Sequence, residues 1–561
     1  MAKHTRKPTR SSFDNGNANP DLTSHAVVPG SQRVPLAGAK AVGAANPHAV
    51  IELTLKLRRK QDLPDFESRP RTPMSRDELA SKFGASTDDI DKVKKVFAKL
   101  GLKTDKADPA TRTVKISGPI KKVQDAFLVK LFKYEHATGS YRGRVGAVHV
   151  PTDVADIVQG VFGLDTRRVA KRRRHPVRAS QIFRALSHHP PSWYIPEELA
   201  KHYNFPASTG AGQTVGLLEF GGGFFQDDLD QFCKMAKVNS PNVDALSADG
   251  TSTSARDGAE GEVMLDVEVV AGACPDAHIV VYFAEFTEQG WIDLLDFIMQ
   301  DKKNNPNVLS ISWGAAEDTD VWTRAAMKQV NESLKDAAMM GMTICVAGGD
   351  DGSSDAVLDG HAHADFPASS PYVLAVGGTT IPKKHGTGRD IVWFEGDGLR
   401  EDSGGSTGGA VSAVFRRPKW QSKIKIASVN PGAIRGRIIP DLSANADWDA
   451  SPYLLVVDGQ SEPNGGTSAA APLVASLIAR INAIRESNSQ QPIGYLTPVL
   501  YRGANGNGGT PVGQAGCTDV VDGNNDTAAV GGYPAAPGYD AASGWGTPDG
   551  SKLLQALQFL P

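Results

Sequence analysis

At 561 residues the chain is too long for one ordinary domain, so a large domain with at least one companion is expected. Hydrophobic residues make up 40% and charged residues 22%, the balance of a soluble globular protein and not of a fibrous or wholly disordered one. The formal charge of −3 conceals an asymmetry: basic residues crowd the first third, including RRVAKRRRHPVR at Arg167–Arg178, while the stretch around 250–360 is rich in Asp and Glu.

The first residues, MAKHTRKPTRSSFDNGNANP, lack the apolar centre of a standard signal peptide. No apolar run reaches the length of about 18 residues that a membrane span needs. Residues 1–45 are polar and rich in Ser, Gly, Asn and Pro, and read as a disordered tail. Order is expected from AVIELTLKLR, where Ile51, Leu53, Leu55 and Leu57 alternate with Glu52, Thr54, Lys56 and Arg58 as in a half-buried strand. SRDE at Ser75–Glu78 has the form of a capping box that opens a helix. A second helix carries Ile90, Val93, Val96, Phe97 and Leu100 on one face and stops at Gly101. RTVKISG then reads as a strand, PIKKVQDAF as a helix, LVKLFKYEH as a strand and DVADIVQGVFGL as a further helix. Residues 46–165 are thus predicted to form a small α+β domain of the split βαβ, ferredoxin-like kind.

Residues 166–191 come next as a basic linker. A run such as Lys171–Arg174 could in principle attract nucleic acid, but no aromatic-studded or helix-turn-helix pattern accompanies it, and it reads as a solvated, protease-accessible segment. The larger domain, 192–561, shows short apolar runs punctuated by glycine: TVGLLEFGGG, HIVVYFA, VLSISWG, MTICVAGGD and YVLAVGGT. Such strands alternating with helices predict a mostly parallel sheet covered on both faces. Function gathers at the C-terminal ends of such strands, which here carry Glu219, Trp313 and Gly349–Asp350. Cys233, Cys274, Cys345 and Cys517 lie far apart with no CxxC pair; a chain of this size needs no disulfide framework.

GGTSAAAP, Gly465–Pro472, delivers Ser468 from a flexible turn into an Ala-rich run that reads as a buried helix. A serine nucleophile needs a base, yet no histidine stands in an HGTxxAG-like setting. His361 and His363 form an HxH pair in a loop, too few ligands for a strong metal site. The helix GEVMLDVEVVAGA is more informative. Glu262 and Asp266 fall four residues apart, hence on one face, among neighbours that are otherwise apolar. Two carboxyls buried together cannot both ionise cheaply, so one is expected to hold a raised pKa. Asp350, in VAGGDDGSSD, follows a buried strand; alone it would pass for a turn-former.

Taken together, LLEFGGGF, DGAEGEVMLDVEVVAGA, VLSISWG, AGGDDGSSD, DFPASSPYVLAVGGT, GGSTGGAVS and GGTSAAAP resemble, in order, the motifs of the sedolisin (serine-carboxyl peptidase) family, kumamolisin-like members above all. The resemblance runs from about residue 48 to the C-terminus. It implies a subtilisin-like catalytic domain at 192–561, an inhibitory prodomain at 46–165, and processing within 166–191. It implies Ser468 as nucleophile, Glu262 as general base, Asp266 as the carboxyl bonded to that base, and Asp350 as the partner of the Ser468 N–H in the oxyanion hole. Glu219 and Trp313 match positions that extend the hydrogen-bond chain behind Asp266. One structural calcium ion is implied at the carboxylates of Asp519 and Asp540 and the carbonyls of Val520, Ala536 and Gly538. Alanine stands at 536 where relatives have glycine.

The resemblance and these residue types together imply an acid-active, secreted, monomeric serine endopeptidase made as a self-processing zymogen. It would act on peptide or protein substrates and be restrained in cis by its own prodomain, with no membrane and, once mature, no nucleic-acid partner. A tripeptidyl-peptidase exopeptidase is the alternative, and a catalytically silent peptide-binding protein a more distant one. Acid is expected to protonate carboxylates between the domains and loosen the prodomain.

Overall fold

The computed structural model describes residues 24–560 apart from 65, 67, 69, 71, 138, 170, 173–192, 383–387, 400–404 and 504–508. The period-two run builds β1 (Val50–Leu57). Ser75 accepts a hydrogen bond from Glu78 N and opens α1 (Arg76–Phe83). Beyond it lie α2 (Thr87–Lys99), β2 (Lys103–Asp108), β3 (Thr113–Pro119), α3 (Ile120–Phe127) and β4 (Val158–Phe162). The sheet order is β2-β3-β1-β4, antiparallel throughout. Leu53, Leu55 and Leu57 enter a core shared with Val93 and Phe97 of α2 and Val123 and Phe127 of α3.

Two expectations fail in this unit. The tail read as disordered up to residue 45 is ordered from Ser24: His25–Val27 pairs with His149–Pro151, and Lys40–Ala44 with Phe132–His136. Composition hid this because a strand can be held by backbone hydrogen bonds alone, and Lys40–Ala44 is exposed along its whole length. Residues 1–23 lie outside the described residues. The helix read over DVADIVQGVFGL is a single 3-10 turn, Thr152–Val154, followed by β4. Val158, Val161 and Phe162 prefer the pleated surface, and a short apolar run does not distinguish the two conformations.

The linker contributes β5 (Lys171–Arg172). It is not wholly solvated, since Arg167 and Val169 are both buried; residues 173–192 lie outside the described residues. The larger unit then gives β6 (Thr214–Glu219), β7 (Val243–Ser247), α4 (Glu260–Ala273), β8 (His278–Phe283), α5 (Glu288–Gln300), β9 (Val308–Ile311), β10 (Trp313–Ala316) and α6 (Arg324–Met339). It continues with β11 (Thr343–Ala347), β12 (Asp365–Phe366), β13 (Leu374–Thr380), β14 (Ile391–Val392), β15 (Leu442–Asn445) and α7 (Thr467–Ser487). Its central sheet runs β7-β8-β6-β9-β11-β13-β14 with β15 also paired to β13, parallel except for β14. The cores on the two faces enclose α4 and α7 on one side and α5 and α6 on the other. By length and composition α7 could cross a membrane, but 89% of its apolar window is buried inside the protein. All four cysteines are buried and free.

The polar side of β1 faces α5 and α6, not water. Lys56 Nζ donates to Asp296 at 2.8 and 2.9 Å and to Thr111 O at 2.6 Å. Thr54 Oγ1 donates to Asp293 at 2.9 Å, and Lys115 Nζ reaches the other oxygen at 2.8 Å. Arg59 meets Asp336 at 2.8 and 2.9 Å. Burial drives the Lys56 pKa down despite Asp296, and burial drives that of Asp293 up despite Lys115.

Candidate active site

Gly466 caps α7 with φ +93°, a left-handed conformation that glycine adopts without strain. The chain thereby turns sharply, and Ser468 enters the first turn of a buried helix. Pro472 lies four residues further on and has no N–H to offer the Ser468 carbonyl. Ser312 Oγ lies 3.3 Å from that carbonyl and donates to it. Ser468 Oγ donates in a short hydrogen bond to Glu262 Oε1, and sits 3.5 Å from Ser312 O.

Glu262 and Asp266 share one face of α4, both fully buried. Ser312 Oγ is 2.7 and 2.9 Å from the two Asp266 carboxyl oxygens. Asp266 also pairs with Glu219, whose Oε2 accepts from Trp313 Nε1 at 2.9 Å. Ser468 thus bonds to Glu262, and Asp266, one turn further along α4, leads through Glu219 to Trp313. Burial lifts both Glu219 and Asp266 well above the usual carboxylate range; the charge of Glu262 adds to each, and the Trp313 and Ser312 hydrogen bonds only partly oppose it. Both are therefore biased toward their protonated forms.

Asp350, also fully buried, follows β11 and accepts from Thr467 N at 2.9 Å and Thr467 Oγ1 at 2.6 Å. It is thereby fixed against the residue that precedes Ser468. Sequence reasoning missed Ser312 and Thr467: a small polar residue inside an apolar run looks like packing, and only its position inside SISWG and GGTS could have drawn notice.

The linker strand β5 pairs antiparallel with β10, Lys171 opposite Gly314 and Arg172 opposite Trp313. An extended segment of this chain therefore lies along the strand that begins next to Ser312. Of the HxH pair, His363 is held between Asp318 at 2.6 Å and Asp359 at 3.0 Å. Burial works against its charge, but these two bonds outweigh it and lift its pKa to about 9.

The five residues read as a calcium site come together in two loops. Gly538 N donates to Asp519 Oδ2 at 2.9 Å, and Ala536 N to Asp540 Oδ2 at 3.0 Å. Asp519 Oδ1 is buried without a protein partner. Among the described residues no N–H or O–H donates to the carbonyls of Val520, Ala536 or Gly538. Oxygen acceptors facing no donor suit a hard cation.

The parallel sheet, the buried helix that carries Ser468, and the carboxyl set against its hydroxyl define a subtilisin-like serine peptidase with an N-terminal prodomain. The family pattern "Pro-kumamolisin, activation domain" matches residues 37–167, and "Subtilase family" matches 246–502. Kumamolisin from Bacillus sp. (strain MN-32) is 41% identical over 496 residues, 87% of this chain and 86% of that protein. Tripeptidyl-peptidase sed5 from Aspergillus fumigatus is 26% identical over 592 residues, 94% of this chain and 97% of that protein. The solved structure of Pseudomonas sedolisin (serine-carboxyl proteinase), complexed with pseudo-iodotyrostatin, superposes with TM-score 0.55 at 28% identity, covering 65% of this chain and 98% of that one. The chain belongs to the sedolisin family of serine-carboxyl peptidases.

Proposed function

We propose that the chain is an acid-active endopeptidase that processes itself, with Ser468 as nucleophile and Glu262 as general base. The observation that carries this is the direct hydrogen bond from Ser468 Oγ to Glu262, with no imidazole between them. Attack transfers the hydroxyl proton to Glu262, and the same carboxyl returns it to the leaving amine. Asp266, with Glu219 and Trp313 behind it, stays protonated and holds Glu262 in place without adding a second charge. Asp350 donates to the developing oxyanion when it is itself protonated. The need for a protonated Asp350 is what ties the reaction to acid.

An endopeptidase is favoured over a tripeptidyl-peptidase by the linker. Its strand lies on β10 while continuing upstream into an entire folded domain, so the cleft admits a chain with no free N-terminus nearby. For the prodomain, Asp293 opposes release by acid. Burial raises its pKa, so the docked state binds that proton more firmly, and acid strengthens docking through this group. Asp519, Asp540 and the carbonyls of Val520, Ala536 and Gly538 would hold one calcium ion, whose contribution is to tie the two loops together.

The test is cleavage of casein and of N-terminally blocked peptides from pH 3 to 8 by wild type, Ser468→Ala and Glu262→Ala. The expected result is acid-optimal activity, retained on blocked peptides and lost in both variants. Activity surviving Glu262→Ala, or confined to alkaline solution, would remove the proposal.

A further inference from the structure

Between the start of the linker and the larger unit lies a cavity of about 310 Å³. Phe220, Gly221, Asp257, Glu285 and Phe286 of the larger unit form one wall, and Arg168 of the linker lines the same space. The Arg168 guanidinium stands 5.6 Å from the centre of the Phe286 ring. Arg168 is exposed, whereas Val169 next to it is buried and anchors the segment. Lys171 pairs with Gly314 and Arg172 with Trp313, so the segment runs towards Ser312 as residue number rises. Ser468 Oγ rests against Ser312 O. Arg168, four residues before Arg172, therefore lies on the upstream approach to the nucleophile.

The wall that Arg168 faces is rigid. Phe286 stacks on Phe220 at 6.1 Å and meets Trp313 edge to face at 4.9 Å, while Phe220 stacks on Trp291 at 4.2 Å. Trp313 is the indole that donates to Glu219, so the wall and the carboxyl cluster share one side chain. Asp257 is fixed by Gly222 N at 3.0 Å and Ala259 N at 3.1 Å, both donating to Oδ1. An aromatic face attracts a cation electrostatically, and a planar guanidinium also stacks upon it. Carboxylates on the same wall add to that attraction and repel an acidic side chain.

We infer that the Phe286 wall is an upstream subsite for arginine or lysine in extended peptide substrates, and that Arg168 occupies it as a substrate residue would. The inference rests on the peptidase reading above and deepens it. A residue four places before the one paired with Trp313 lies further from the bond cut than a tripeptide reaches. Such a subsite serves an endopeptidase and has no use in an enzyme that removes three residues at a time.

Mature enzyme is offered N-terminally blocked peptides of one parent sequence, in which a single arginine replaces alanine at the fourth to eighth residue before the scissile bond. Mass spectrometry identifies the bond cut in each. At one of these places arginine is expected to raise kcat/KM about 3- to 30-fold over alanine, the worth of a cation on an aromatic face. Phe286→Leu stays apolar but loses the ring, and should bring that arginine-to-alanine ratio within about twofold of one. The ratio cancels any effect common to both peptides. If Phe286→Leu cuts neither peptide, Asp257→Asn combined with Glu285→Gln makes the comparison and should lower the ratio about two- to fivefold. No favoured place for arginine, or a ratio unchanged in the variants, overturns the inference while the peptidase reading stands. Failure of the wild type to cut casein or any of the peptides overturns the two together.

Discussion

Replacing Lys56 by methionine tests whether the prodomain is held by charge or by shape. The ammonium is 1% exposed and the Asp296 side chain 14%. Methionine keeps the apolar stem but removes the bonds at 2.8 and 2.9 Å, leaving Asp296 with only the Thr113 hydroxyl at 2.6 Å among these partners. Breaking a buried pair from one side costs about 3–5 kcal/mol; because Asp296 keeps some water and one donor, about 3 kcal/mol is expected. For a unit of roughly 140 residues that corresponds to a fall of about 10 °C in the prodomain's unfolding midpoint. Calorimetry on full-length Ser468→Ala, with and without Lys56→Met, reads it directly. Adding Asp296→Leu should recover most of the loss, since removing both charges leaves nothing buried and unpaired. A fall below about 2 °C, or a double variant weaker than the single, would refute the reasoning.

Stability should decline as the solution turns from acid to neutral. Burial lifts Glu317 from 4.5 to about 7 and Glu395 from 4.5 to about 9, and His363 stands at about 9. Each folded-state pKa is raised, so each contribution is complete below the unfolded value and lost as pH climbs through the folded one. For fully buried Glu317 that loss is about 3 kcal/mol between pH 4.5 and 7; Glu317→Gln should flatten that limb, and identical pH profiles of the two midpoints would contradict it. Ser312→Ala should lower kcat by about 10- to 100-fold with little change in KM, because it frees Asp266 and the Ser468 carbonyl together; activity within twofold of wild type would exclude the role. Chelation should lower the unfolding midpoint and added calcium restore it, worth about 3 kcal/mol at 100 times the Kd. Asp519→Asn should abolish that response, and a midpoint indifferent to chelator would dismiss the ion.

Much of this was readable before any coordinates. Helical spacing on an apolar background placed Glu262 and Asp266 together, and glycine-punctuated apolar runs gave the parallel sheet, because both patterns record burial. Other features leave no such mark. The alternation of Thr54 and Lys56 with leucines is the same whether the polar side meets water or a row of aspartates. Lys40–Ala44 pairs through its backbone, which composition does not encode. Val158–Phe162 is equally apolar as helix or strand, and only its neighbours β1 and the Thr152–Val154 turn decide. Ser312 acts through the gap that Pro472 leaves 160 positions away in α7, a relation visible only once the chain is folded.

The charged underside of β1 bears on what happens after separation. A domain that masks its partner with leucines leaves two greasy wounds when it departs, and both halves then tend to clump. Here much of the contact is made by lysine, arginine, threonine and aspartate, each of which water welcomes back, beside an apolar patch where Leu63, Leu79 and Phe83 meet Met339. Were the N-terminal unit to leave, the charged part of that face would rehydrate readily, while the patch around Met339 and Met340 would stay apolar.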